Sequence, residues 1–460
     1  MRIVLNNNIN NDLEVHFRVK FVSRTIPPSG GHNTTQRAHE LFPKLALGFF
    51  IPVILPFIMC IAVSSLVSCG PKARVAVNQL DTPGHHTFTG LKLLELEKYP
   101  DAQREFTMAI ELNKNYSKAY TGLALVNTFT GKFDNAGENL ILGSQYAASD
   151  EEKLFAYVGK IRYYTISKAD SKWLELAGNQ FDEAVKIDSR YSPAYYYMGI
   201  AYKDALDFNQ ALQMFTKVIQ LKTDHIADAD AQLKFLKKIQ QAMPATAEGK
   251  KIALVERLTR GDAAALFMDE LKIKELYKKQ APQAPETVVK DEEKVSAETP
   301  AKDVEKITAE VKEVGKKFIE AVTAVSAPAK LMANDIADHP FKKEIEGILE
   351  IGVHGLENNP NGNFNPREVL SRGEYAIIME DILIKLTGEK DLASGYVNSK
   401  SLFPDVPADM PYFNAIMSVA SREIMEAKNV KTGEFAPLKP LSGVEALLTI
   451  RKLKDKLKLN

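Results

Sequence analysis

Small and large apolar residues recur through the middle of the chain at a spacing longer than any one helix. Ala102, Phe106 and Ala109 return as Ala136, Leu140 and Gly143, 34 residues on. They return again as Ala177, Phe181 and Ala184 after 41 residues, and as Ala211, Phe215 and Val218 after a further 34. Steps of four and three put each triplet on one helical face. Small residues on such a face let two helices approach closely, and the large one fills the space between them. Gly90 and Gly199 each precede their repeat's alanine by twelve residues, which predicts a partner helix before each triplet. The period predicts a helix-turn-helix solenoid of four units over roughly 83–225. The third unit, with a first helix from Glu151 to about Thr165, carries the seven-residue insertion. A helix from Ile226 to Met243, with Leu233, Leu236 and Ile239 as its stripe, is expected to cap the array and extend it to 242.

A second pattern has an offset of 71. Phe364-Asn365-Pro366 and Leu370-Ser371-Arg372-Gly373-Glu374 match Phe435-Ala436-Pro437 and Leu441-Ser442-Gly443-Val444-Glu445. Ile345 pairs with Ile416 and Val353 with Ile424 at the same offset, and Asp335-Ile336 with Asp405-Val406 at 70. Leu258-Thr259-Arg260-Gly261-Asp262 is a shorter echo, followed by a helical run from Ala263 to Leu276. Ser or Thr with an acid three residues on forms a helix-opening capping box. An arginine in a helix's first turn opposes the dipole, so Arg260 and Arg372 imply an anionic ligand or a fixed carboxylate partner. Between 281 and 332 a stretch rich in Pro, Glu, Lys and Ala reads as a linker, with an amphipathic helix from Val304 to Val325.

Leu45 to Val67 is an uncharged apolar run behind Lys44, ending Leu66-Val67-Ser68-Cys69-Gly70. A basic residue, an apolar core and a small-residue end are the parts of a secretory signal. The polar residues before it make the signal start late, so the functional start is expected near Leu41.

Composition narrows the chemistry. Lys+Arg and Asp+Glu are both 59, which speaks against a nucleic-acid partner, and 45% hydrophobic content speaks against a wholly disordered chain. Two cysteines, Cys60 and Cys69, are too few for a disulfide scaffold or a multi-cysteine zinc site. Phosphate-loop, HExxH, GxSxG and CxxC motifs are missing, so no catalytic residue, metal or cofactor is expected. His85-His86 reads as an exposed polar pair, and Asn358 to Asn363 as a turn.

Three resemblances attach to these residues. Leu66-Val67-Ser68-Cys69 resembles the lipobox of bacterial lipoproteins, which implies cleavage before Cys69, lipidation of its thiol and no free thiol in the mature chain. The 34-residue pattern, best seen in Tyr195 to Tyr202 with Phe208, Ala211 and Phe215, resembles the tetratricopeptide repeat. That implies a concave groove for protein partners, lined here by Lys118, Thr121, Tyr196, Lys203 and Asp204. The tetrads at 259–262, 371–374 and 442–445 resemble those of S-layer homology domains, over 245–280 and 333–460. That implies contacts from Arg260 and Arg372 to an acidic cell-wall polysaccharide, with the third motif lacking the arginine. The expectation is an all-α, lipid-anchored envelope scaffold: an extension and signal over 1–68, a tether over 69–82, the array over 83–242 and the wall module beyond. It would sit at the periplasmic face of an outer membrane, joining the membrane, peptidoglycan or its polysaccharide, and a protein. The alternative is an assembly or pilotin-like factor for secretion, pili or outer-membrane proteins.

Overall fold

The computed structural model describes residues 73–280 and 332–459. The apolar run, the lipidation expected at Cys69 and the helix expected at Val304 to Val325 lie outside the described residues. Among those described, every regular element is helical apart from isolated bridges, and no helix is long and apolar enough to cross a membrane.

Four helix pairs build a tetratricopeptide-type array. They are α1 (Pro83–Glu95) with α2 (Tyr99–Leu112), and α3 (Ser117–Phe129) with α4 (Phe133–Gln145). α5 (Asp150–Ser167) with α6 (Trp173–Ile187), and α7 (Ser192–Asp204) with α8 (Phe208–Leu221), complete it. The small–large–small faces do what their pattern predicts: Ala102, Phe106, Ala109, Ala177, Ala184, Ala211 and Phe215 are all fully buried. Phe106 fills two glycine gaps at once. A Cβ on Gly90 would lie 2.8 Å from its ring, and one on Gly122, in the next pair, 2.3 Å. The insertion in the third unit lengthens its first helix to 18 residues against 13 in α3 and α7. A full capping box, Ser149 with Glu152, and three acids in the first turn open that helix, so it forms despite its weak apolar stripe.

α9 (Ile226–Ala242) is not a free cap. It packs on α8 with one side and on α16 (Gly443–Leu457), the last helix of the chain, with another. Leu233, Leu236 and Ile239 therefore belong to one continuous core that runs from Tyr195 in the array to Leu453 in the terminal module.

That module is built from α10 (Ala247–Ala253), α11 (Arg260–Ala265), α12 (Ile273–Gln280), α13 (Lys342–Ile351), α14 (Arg372–Thr387), α15 (Phe413–Ser421) and α16. The run expected as one helix from Ala263 breaks into α11, a π-turn over Leu266–Glu270 and α12. The three equivalent leucines before the tetrads close a ring of backbone hydrogen bonds. Leu258 N–H donates to Leu441 O (2.7 Å), Leu441 N–H to Leu370 O (3.1 Å), and Leu370 N–H to Leu258 O (2.9 Å). All three tetrads carry the capping box read from sequence. Asp335 and Asp405 serve matching turns, each accepting two successive backbone N–H groups at 2.7–2.8 Å, from Phe364 and Asn365 and from Phe435 and Ala436.

Candidate binding surfaces

Along the array each first helix touches the next, whereas second helices touch the first helices on either side. The side where first helices meet is the tighter, inner side of the solenoid. The sequence-predicted residues sit there unevenly. Thr121 is fully buried, its methyl wedged against Gly159 and its hydroxyl against Gly143, so it is core and not a groove contact. Tyr196 is also buried, its ring stacked on His225 at 4.4 Å. Its aromatic bulk holds α7 to the start of α9 and offers a partner almost nothing. Lys118 pairs with Glu151 at 2.6 Å and Asp204 with Lys168 at 3.6 Å. Lys203 donates to Gln232 at 3.1 Å, and burial lowers its pKa.

The residue that stands out on this side is Arg162 of α5. Its guanidinium lies between the rings of Phe129, at 5.2 Å, and Tyr197, at 4.5 Å. Tyr99 stacks on Phe129, and His225 meets Tyr197 edge-on. Arg162 makes no ion pair or hydrogen bond through its guanidinium among the described residues. Two aromatic faces fix the plane of the cation and leave its five donors free to take a carboxylate in a fork. The sequence carried the signal. Arg162 stands fifteen residues before Ala177, as Thr121 stands before Ala136 and Tyr196 before Ala211. The insertion hid that register.

In the terminal module the two tetrad arginines turn inward. Arg260 donates from Nε to Phe364 O (2.8 Å), and from its terminal nitrogens to Gly355 O (2.9 Å) and Glu357 O (2.7 Å). Arg372 repeats this one motif on, with Phe435 O (2.8 Å), Glu426 O (2.6 Å) and Glu445 Oε1 (3.1 Å). Each guanidinium stacks on the phenylalanine whose carbonyl it holds, at 4.7 and 4.6 Å. Arg372 is 4% exposed. A direct polysaccharide contact by Arg372 is thus corrected: burial and three internal acceptors make it a brace for the next motif's loop. Arg260, partly exposed, is braced the same way. What each arginine meets is mainly carbonyl oxygen, a partner invisible to an argument about charge.

The third motif's glycine has a steric cause. A Cβ on Gly443 would lie 1.7 Å from Ile252 O. The first motif's backbone occupies the space an arginine would need.

An open cleft of about 690 Å³ lies beside the first brace, lined by Asn334, Asp335, His339, Asn365, Arg367 and Glu368. Arg367 is exposed there, and burial lowers the pKa of His339.

At the amino-terminal edge of the array His86 is not a free polar residue. Its Nδ1 lies 2.7 Å from Glu105 and its Nε2 2.9 Å from Asp81, while Arg74 forks onto Asp81 at 2.7 Å. Both ring nitrogens face acceptors, so the doubly protonated ring fits best. Burial opposes that charge, but the hydrogen bonds to Glu105 and Asp81 outweigh it and raise the pKa above the ordinary value. A raised folded-state pKa gives stability that is complete below about pH 6.5 and lost as pH rises through the folded value. Amide exchange at Val77, whose N–H is held by Asp81, is therefore expected to quicken beyond its intrinsic trend as pH rises above about 6.5 and through the raised folded value. His86→Ala should remove that dependence; an unchanged profile would show that the histidine does not hold the segment.

No family model matches the chain. Over 126 residues it is 34% identical to the Surface-layer 125 kDa protein of Lysinibacillus sphaericus, covering 27% of this chain and 10% of that protein. The chain thus spans about a tenth of the length of this curated relative. Among solved structures it is similar to TTC0263, a thermophilic TPR protein of Thermus thermophilus, at 17% identity and a TM-score of 0.30, covering 43% of this chain and 97% of that one.

Proposed function

We propose that this chain is a non-catalytic scaffold of the bacterial cell envelope, in which the helical array holds a protein partner and the terminal module holds a wall polymer. The observation that carries the first half is the Arg162 slot: a preoriented cation, without a carboxylate of its own among the described residues, on the inner side of the array. The second half is supported by the tetrad pattern and by the likeness to a surface-layer protein. In this reading Arg260 and Arg372 shape the wall-binding loops, and Arg367 offers the open cation. The lipid at Cys69 would hold the chain at a membrane, at the periplasmic face of an outer membrane. Two weak attachments on one chain raise each other's effective concentration, so the whole works as a tether.

Affinity purification of the full chain from native envelopes, with and without Arg162→Gln, tests the array. The variant should recover its main partner at least about tenfold less well, the loss expected when a bidentate charge contact at a binding centre is removed. Equal recovery would exclude the slot. Retention of the full chain on purified peptidoglycan sacculi tests the wall half. Lack of retention would favour an assembly or pilotin-like role for the array.

A further inference from the structure

Where the third motif has lost its arginine, another source of positive charge has moved in. α9, the last helix of the array, lies along α16 and leaves a cleft of about 320 Å³ between them. Lys234, Phe235 and Lys238 line it from α9, and Lys428, Val444 and Glu445 from the module.

The charges do not cancel. Lys234 pairs with Asp230 at 2.6 Å, one turn along its own helix. Glu445 is shared between Lys428 at 2.6 Å and Arg372 at 3.1 Å. Lys238 has no carboxylate partner among the described residues and is exposed. Three lysines and one carboxylate therefore line this cleft, and with Asp230 answering Lys234 and Glu445 answering Lys428, Lys238 is left as the surplus cation. Its floor is apolar, made by the half-buried Phe235 ring and by Val444. An apolar face flanked by ammonium groups matches a sugar ring that shows C–H bonds on one side and carries a carboxylate. The volume suits one or two such rings.

We propose that this joint cleft is a binding site for an acidic saccharide, with Lys234 and Lys238 of the array taking the carboxylate and Phe235 packing against the ring. This deepens the wall-binding reading and rests on it. It adds that the array's last helix supplies part of the site, so the site exists only while α9 is docked on α16.

The test uses the full chain in detergent and three probes: trigalacturonate, which has a carboxylate on every ring, its neutral counterpart galactotriose, and hexaglutamate. Lys234→Gln with Lys238→Gln is the variant; both residues are exposed and hold only one pair within their own helix, so the fold should persist. Saturable binding of trigalacturonate, little of galactotriose, and at least a tenfold loss in the variant are expected. Unchanged affinity in the variant overturns the proposal. So does the absence of saturable trigalacturonate binding. Hexaglutamate binding as tightly as the saccharide overturns it in favour of an acidic-peptide site. Sacculus retention of the wild-type chain is scored separately. Retention without trigalacturonate binding removes this site and leaves the wall reading standing, whereas lysine-dependent trigalacturonate binding without retention removes the wall reading and leaves the site.

Discussion

Arg372→Ala should destabilise the terminal module by about 3–5 kcal/mol, the range for removing one partner of a buried, charged hydrogen-bond network. The substitution strips Phe435 O and Glu426 O of their donors and takes one of two cations from Glu445. Phe435 O is buried, and an orphaned buried acceptor costs about 1–3 kcal/mol on its own. Arg372→Lys should rescue only part, because one ammonium cannot reach three acceptors set in a fork. Arg260→Ala should cost less, because its equivalent bonds lie partly in water. Hydrogen exchange at the amides of Leu258, Leu370 and Leu441 in the full chain reads the module directly. If those amides keep their protection in Arg372→Ala while sacculus binding disappears, the brace is wrong and the arginine is a ligand contact after all.

Gly443→Ala is the second large effect, and its sign is diagnostic. Gly443 opens α16, and helix propensity alone would make alanine better there by up to about 1 kcal/mol. The added Cβ would meet Ile252 O at 1.7 Å and Ile252 C at 2.7 Å, both backbone atoms. Backbone cannot swing aside as a side-chain tip can, so α10 and α16 must part. Overpacking usually costs about 1–3 kcal/mol, and a clash with fixed backbone belongs at or above the top of that range. Chemical denaturation of the full chain, read at the same three amides, measures it. A stabilised Gly443→Ala protein would mean that α10 does not press on α16.

The parts of the molecule that were legible in sequence are those set by local spacing. The 34-residue rhythm gave the helix pairs because two helices can cross closely only where small residues flank a large one, as Phe106 shows against Gly90 and Gly122. The capping boxes were legible for the same reason: Thr259, Ser371 and Ser442 need only a partner three residues away. Direction was not legible. Thr121, Arg162 and Tyr196 share one register, yet Thr121 and Tyr196 are buried and only the long Arg162 side chain escapes between two rings. The role of the tetrad arginines was hidden because sequence shows which charges are present, not the carbonyls that loops from another motif bring to them. Gly443 read as decay of a binding signature, when a main chain nearly two hundred residues earlier sets it. The role of α9 was half legible: its stripe announced a helix, but not that a second partner waited at the end of the chain.

The leucine ring has a temporal consequence. Leu258 is made long before Leu441, yet its N–H has no ring partner until the last motif exists. The array can complete each of its pairs as the chain emerges, from contacts close in sequence, and should fold early. The module must hold its first motif unsealed through the synthesis of everything between, and it locks only when the final helix arrives. A chain cut short before α16 would thus lose more than its tail. It would leave the first motif open and α9 bare on one flank, an apolar surface that quality-control proteases and chaperones recognise.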